Sequence, residues 1–594
     1  MLSKSGWLSI GSMYLVLGIG LTNLMAQSDG VSRRSERTSG THVFPASTVA
    51  YLEIAEPAEL IDRILEHPLR DTLQQLPAVE EALAGLNSTE AKLAIALIES
   101  RSGAKWPDLL KSLTRRGIYL GIDESEGGGV LLARAESASK LKETLGILLG
   151  MIKQDAESKG NPVPYRIQEY RGHKVAKLDG GTLARIDDWL LLSNKPALAK
   201  TVADNLIDHS QTALPLPFEK QLSRLGSSNL VGYLDMEALR QRDIAPQLLG
   251  GQADNAGIEL LFGGVLEAMN QSSELLLGVN LRDDSFELRA ELPFDFANQL
   301  SPSRHYFFGT EQLLAAPIDL PLDDLLANVT AYRDLAGWWN SKEDLFEENV
   351  IAQLSQTDSQ LSTLFGGLDF GNEVLGGLQP GVQLVAKRQD YPDNYEPDTR
   401  LPAFAVIGRL ENPEMSRRLR ISYQSMIGIV NMQLAADGQP QLETNNEQLT
   451  AGRMDWAAYL TDTESSPGLL LYNFSPTLAF QDEFIIISST HELAKEIIDA
   501  ASSSSLARNS QPAASEPVVN TRVELDGPQL HQLLEENREA LIVQNMLESG
   551  SQRKQAAANI DNLLSLARLS RQLRLTLAGE SDRLTLDVQL DFQP

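Results

Sequence analysis

Two segments far apart in the chain repeat one another. Residues 182–202 read TLARIDDWLLLSNKPALAKTV, and residues 477–497 read TLAFQDEFIIISSTHELAKEI. Aligned without a gap, these 21 positions share eight identities. Most other apolar positions exchange like for like, as Leu190-Leu191-Leu192 does with Ile485-Ile486-Ile487. Self-similarity of this kind constrains a fold more than any propensity, because each copy must solve the same packing problem. Thr182–Ile186 reads as a strand and Asp187-Asp188 as a tight turn. Trp189–Ser193 is a continuous apolar strand short enough to be buried on both faces. Asn194 and Ser489 stand where a helix N-cap is expected. Ser489 with Glu492 suggests a capping box, and Pro196 suits a first helical turn. Leu198, Val202 and Leu206 form the buried stripe of that helix.

The match extends in the same order along the chain. Gly103-Ala104-Lys105-Trp106 and Gly117-Ile118-Tyr119-Leu120 correspond to Gly367-Leu368-Asp369-Phe370 and Gly381-Val382-Gln383-Leu384. Leu131–Glu136 corresponds to Val406–Glu411, and Asn229–Asp235 to Asn520–Asp526. Each half ends in an alternating segment, Phe286–Phe294 and Leu584–Phe592, where period two predicts one buried face and one wet face. Polar insertions at Asp390–Arg400 and around Gln439–Gln448 belong on the surface. Ser502–Pro517 reads as a loop. Strands joined by short turns and interrupted by helices predict an α+β fold in two tandem, internally duplicated halves. Each is a largely antiparallel sheet with packed helices. The expected division is 43–300 for the first half, 301–325 for a linker and 326–594 for the second.

With 594 residues the chain is long enough for two cores. Acidic residues outnumber basic ones, 80 to 51, for a net charge of −29. That field disfavours nucleic acid and anionic membrane surfaces as partners. No cysteine is present, which excludes disulfides, thiolate metal sites and cysteine nucleophiles. At the N-terminus, Lys4 precedes a mostly apolar stretch from Trp7 to Met25. Cleavage after Ala26 would remove residues 1–26 as a signal peptide. The alternative is an uncleaved anchor formed by residues 7–25. Residues 27–42 read as a polar tether. Both readings place the rest of the chain outside the cytoplasm, in the periplasm or secreted.

The catalytic signatures are weak. None of the seven histidines (His42, His67, His173, His209, His305, His491, His531) is spaced as a metal pair on one face. Ser102–Lys105 and Ser137–Lys140 match Ser-x-x-Lys, but the elements that accompany a serine–lysine nucleophile are absent. Phosphate loops, dinucleotide fingerprints and nucleophile elbows are missing too. Asp390, Asp393, Glu396 and Asp398 lack calcium-loop spacing and read as a solvated insertion. Trp338-Trp339 reads as core packing. No catalytic, cofactor-binding or metal-ligating residue is therefore assigned, and no cofactor is expected.

The opening Phe44-Pro45-Ala46-Ser47-Thr48-Val49-Ala50-Tyr51, the Gly–aromatic segment before a strand, and the strand–helix element at Trp189 resemble a family of exported bacterial envelope proteins known only as a domain of unknown function. The second half departs from the opening motif at Leu320-Pro321. The resemblance implies an extracytoplasmic location and supplies no catalytic residue. The expected function is a non-enzymatic binding or interaction module, with an envelope protein or an apolar ligand as partner. The alternative is a hydrolase whose site assembles only in three dimensions.

Overall fold

The computed structural model describes residues 40–66, 89–208, 222–225, 228–242, 255–309, 318–391, 396–438, 441–449, 452–459, 470–504 and 518–593. The proposed signal segment, the anchor stretch, most of the tether, His67, His209, Asp393 and most of Ser502–Pro517 lie outside them. Among the described residues no helix is long and apolar enough to cross a membrane. The fold is α+β, and contacts divide it into two units.

The first unit takes the described residues up to Arg242, and Ser273–Ala290. Its strands are β1 (Thr48–Ile54), β2 (Ile118–Asp123), β3 (Gly128–Arg134), β4 (Tyr165–Tyr170), β5 (His173–Leu178), β6 (Gly181–Ile186), β7 (Trp189–Ser193), β8 (Leu230–Asp235) and β9 (Glu274–Leu281), with the start of β10 (Ser285–Pro293). Its helices are α1 (Pro57–Glu66), α2 (Thr89–Ser102), α3 (Trp106–Thr114), α4 (Ala138–Ser158), α5 (Pro196–Ile207) and α6 (Met236–Gln241). Strand order is β4–β5–β6–β7–β3–β2–β1–β8–β9–β10. The register-defined pairs are all antiparallel.

One face of this sheet is closed by α5. Leu198, Val202 and Leu206 are buried there against Tyr51, Val130, Leu132, Ala184 and Leu191. Phe44 packs edge-on against Tyr51, with ring centroids 5.3 Å apart. The Pro45 carbonyl accepts the Thr48 amide and hydroxyl. The opening motif is thus a plug and turn that start the sheet. The other face carries a second cluster, in which Leu183, Leu190 and Leu192 pack with Leu141 of α4.

The second unit takes the described residues within Asp243–Ser272 and Glu291–Pro594. Its strands are β11 (Ala327–Ala331), β12 (Leu378–Lys387), β13 (Ala403–Leu410), β14 (Leu442–Gln448), β15 (Arg453–Tyr459), β16 (Thr477–Gln481), β17 (Phe484–Ser488), β18 (Val518–Asp526), β19 (Ser570–Glu580) and β20 (Arg583–Phe592). Its helices include α7 (Ala256–Gln271), α8 (His305–Phe308), α9 (Leu335–Asn340), α10 (Lys342–Leu345), α11 (Glu348–Leu364), α12 (Met415–Ala436), α13 (His491–Ser504), α14 (Gly527–Glu536), α15 (Arg538–Ser549) and α16 (Arg553–Leu569). Strand order is β14–β15–β16–β17–β13–β12–β11–β18–β19–β20, every pair antiparallel. Position for position this is the order of the first unit. The registers agree as well. Leu131 lies opposite Leu192, and Val406 opposite Ile487.

Several expectations need correction. The contact division differs from the expected linker at 301–325, because α7 packs with the second unit through the ion pair of Glu259 with Arg304. Asn194 and Ser489 are not N-caps. Their side chains instead accept the Gly129 and Phe404 amides of the neighbouring strands, each at 2.8 Å. The helices begin one residue later, so no Ser489–Glu492 capping box forms. Trp189 is half-buried rather than enclosed, and Ile487 is 56% exposed. The alternating segment of β10 has mixed burial, with Glu291 buried and Phe286 only half-buried. Trp339 is buried as expected and donates to Asp358.

Candidate functional site

The sequence-suggested serine–lysine pairs do not assemble. Ser102 Oγ donates to the Ile98 carbonyl at 2.8 Å, within its own helix, while Lys105 Nζ pairs with Glu99 at 3.1 Å. Ser137 caps α4 by accepting the Lys140 amide. Glu396 pairs with Arg400. Among the described residues no group of three His, Asp or Glu side chains is placed to hold a metal.

The charged residues common to both segments have structural partners. Arg134 bonds Asp188 at 3.1 Å and covers the Trp189 ring at 5.2 Å. Arg409 approaches Glu483 at 3.8 Å and covers Phe484 at 5.1 Å. Both pairs brace the turn before the apolar strand.

Two polar constellations were not legible in the sequence. The first lies inside the second unit. Arg304 Nε and Nη2 donate to the Glu259 carboxylate at 2.7 and 3.0 Å. Tyr306 Oη donates to the Glu259 carbonyl at 2.6 Å. Arg333 lies 3.5 Å from the Phe307 ring centroid and donates to the Leu260 carbonyl and Asn520 Oδ1. Burial pushes its guanidinium down to about 9, which leaves it cationic at neutral pH. Gly263 and Gly264 admit this packing, since a Cβ at either would strike Glu259 and Tyr306, or Phe307. The charges are met by fixed partners, so the network holds α7 in place.

The second constellation is Ser475, His491 and Glu492. Ser475 Oγ lies 3.1 Å from His491 Nδ1, and His491 Nε2 lies 3.1 Å from Glu492 Oε1. This has the outline of a hydrolytic triad. Ser475 Oγ, however, also accepts the His491 amide at 3.0 Å, which caps α13. The His491 ring is stacked on Trp456. At the same positions the first segment has Gly180, Pro196 and Ala197.

Beside these positions the first unit has a groove. It lies between β4–β6 and α5, with a volume of about 380 Å³. Its sheet wall includes Tyr170, Val175, Lys177, Thr182 and Ala184, and its helix wall Pro196, Ala197, Ala199, Lys200 and Ala203. Register sets the wall: Lys177 lies opposite Thr182, and Val175 opposite Ala184. The hairpin joining β4 and β5 turns on Arg171-Gly172, both with positive φ, as a tight two-residue turn requires. One end is tied by Tyr170 Oη, which donates to Asp204 at 2.8 Å, and by Arg171 Nη1, which donates to the same carboxylate at 2.8 Å. Burial raises the Asp204 carboxyl, but these two hydrogen bonds outweigh it and hold the group below its ordinary range. Lys200 Nζ stands 5.9 Å from the Tyr170 ring centroid.

The second unit fills the same space. Trp456 lies opposite Thr477, and Met454 opposite Ala479. Met454 is fully buried, and so is Ile498, at the position of Ala203. Thr477 Oγ1 donates to the Ser475 carbonyl at 2.7 Å. Thr182, only 5% exposed, has no partner for its hydroxyl. The sequence signal for the groove is the exchange of Met454, Trp456 and Ile498 for Val175, Lys177 and Ala203.

No family model matches the chain, and no curated protein matches it. Among solved structures it is similar to crystal forms of TP0453. Crystal form IV aligns at 9% identity over 43% of this chain and 79% of that one, with a TM-score of 0.25. Crystal form III aligns at 10% identity over 43% and 78%, with a TM-score of 0.24. Likeness at this level carries no argument about fold or function.

Proposed function

We propose that the protein is a non-enzymatic binding module of the bacterial envelope that takes a ligand with an apolar body in the groove of its first unit. The observation that carries this reading is a cavity of about 380 Å³ at positions where the second unit packs Met454, Trp456 and Ile498. The volume falls in the range of small-ligand sites. A fold that can close this space with large side chains, and leaves it open in one copy, has used the space for something else. The shared strand order supports descent of both units from one duplicated ancestor. Export rests on Lys4 and the apolar run to Met25, and the resemblance to exported envelope proteins agrees with it.

Purification from the native envelope, followed by mass spectrometry of bound small molecules, tests the binding reading. A stoichiometric apolar-bodied ligand supports it. A protein that carries none, and binds no apolar probe, contradicts it. N-terminal sequencing tests export: a chain starting at Gln27 is expected, and a retained Met1 in the membrane fraction establishes the anchor instead.

The hydrolase alternative has one observation in its favour, the Ser475–His491–Glu492 geometry. Ester hydrolysis lost in Ser475→Ala, with an unchanged melting curve, would establish it.

A further inference from the structure

We propose that the groove is built for an amphipathic carboxylate, a fatty-acid-like anion. Its head group sits at Thr182, Lys177 and the N-terminus of α5, and its chain runs along Val175, Ala184 and Ala203. This rests on the binding reading above and adds the ligand class and its orientation.

Three features meet at one end of the groove. Thr182 offers a hydroxyl that is buried and without a partner. Such a group costs free energy unless something bonds it. Lys177 is its cross-strand neighbour on the same face, so their Cβ atoms are about 5 Å apart. No ion pair to Lys177 is found among the described residues. The third feature is the start of α5, which has 12 residues and whose first two, Pro196 and Ala197, line the groove. No side chain caps this terminus. In α13 the Leu493 amide, equivalent to that of Leu198, is met by the Thr490 hydroxyl. Pro196 itself carries no N–H, so the free donors of α5 are the Ala197 and Leu198 amides. An uncapped helix start presents partial positive charge and amide donors. A hydroxyl, an ammonium and helix amides together suit the two oxygens of a carboxylate.

Beyond the head group the floor of the groove is apolar, while Gln168, Glu169 and Lys200 stand along its rim. The next cross-strand pair is Val175 with Ala184, and Ala199 and Ala203 face it from the helix. From Pro196 to Ala203 the helix rises about 10 Å, which gives room for a medium-length acyl chain. Tyr170, held by Asp204, closes the far end.

The test is titration of the whole exported chain with octanoate, octanol and octylamine, followed by calorimetry. Octanoate should bind at one site per chain, and octanol and octylamine about 10-fold more weakly or less. Lys177→Gln and Thr182→Val should each weaken octanoate by about 10-fold or more, as loss of a hydrogen bond to a charged group does, and leave octanol unchanged. Ala203→Ile, which restores the second unit's residue, should abolish binding of all three. Lys177 is exposed, so Lys177→Gln keeps its fold and carries the test if Ala203→Ile does not fold. Octanol binding as tightly as octanoate, or octanoate unaffected by Lys177→Gln, would overturn the head-group assignment and leave the binding reading standing. Failure of every probe would overturn both.

Discussion

At the residue scale, buried charge sets the sharpest expectations. Glu259 is inaccessible to solvent, and Arg304 nearly so. Arg304→Ala leaves the Glu259 carboxylate buried without its counter-charge and should cost about 3–5 kcal/mol. Replacing both, as Glu259→Leu with Arg304→Met, removes the stranded charge and should cost less than Arg304→Ala alone. Denaturant unfolding of the two variants measures the difference. Asp204 gives a pH-dependent counterpart. Its carboxyl is held below the ordinary aspartate range in the folded protein. Its contribution is therefore complete above the unfolded aspartate value and disappears as pH falls through the folded one. Asp204→Asn should melt lower than the natural protein at neutral pH, and the gap should close in acid. A gap that stays constant from neutral pH to pH ~3, below the ordinary aspartate value, would show that Asp204 does not tie α5 to β4 through its charge.

At the element scale, each sheet is held by a strand–turn–strand–helix unit whose parts have separable roles. Trp189 is half-buried against Tyr119 and under Arg134. Trp189→Ala should then cost about 2–3 kcal/mol, less than a fully enclosed tryptophan would. Asp235 and Asp526 cap α6 and α14 by accepting the Ala238 and Gln529 amides. Alanine at either should cost about 1 kcal/mol. Much of this scale was legible in the sequence. The apolar run of β7, the turn at Asp187 and the Leu198–Val202–Leu206 stripe follow from period and turn chemistry alone. Asn194 and Ser489 read as caps because a cap residue and a strand-bridging residue have the same chemistry, and only register distinguishes them. The groove was not legible, because Val175, Lys177 and Ala203 announce nothing until the matching positions are known to hold Met454, Trp456 and Ile498. Ser475 and His491 meet only through the β16–β17 hairpin, and no local spacing signals that.

At the scale of the whole molecule, strand order is the same in both units, while the space beside Thr182 and Thr477 is used differently. In the second unit it is packed by Trp456, Met454 and Ile498, and its threonine is satisfied. In the first it is open, and its threonine is not. The central claim is that this difference is a ligand site. The most direct measurement is mass spectrometry of small molecules carried by the protein from its native envelope, compared with those carried by Ala203→Ile made in the same way. The natural chain should carry an acyl carboxylate in stoichiometric amount and the variant none, with both melting cooperatively. The same molecules on both proteins, in equal amount, would contradict it.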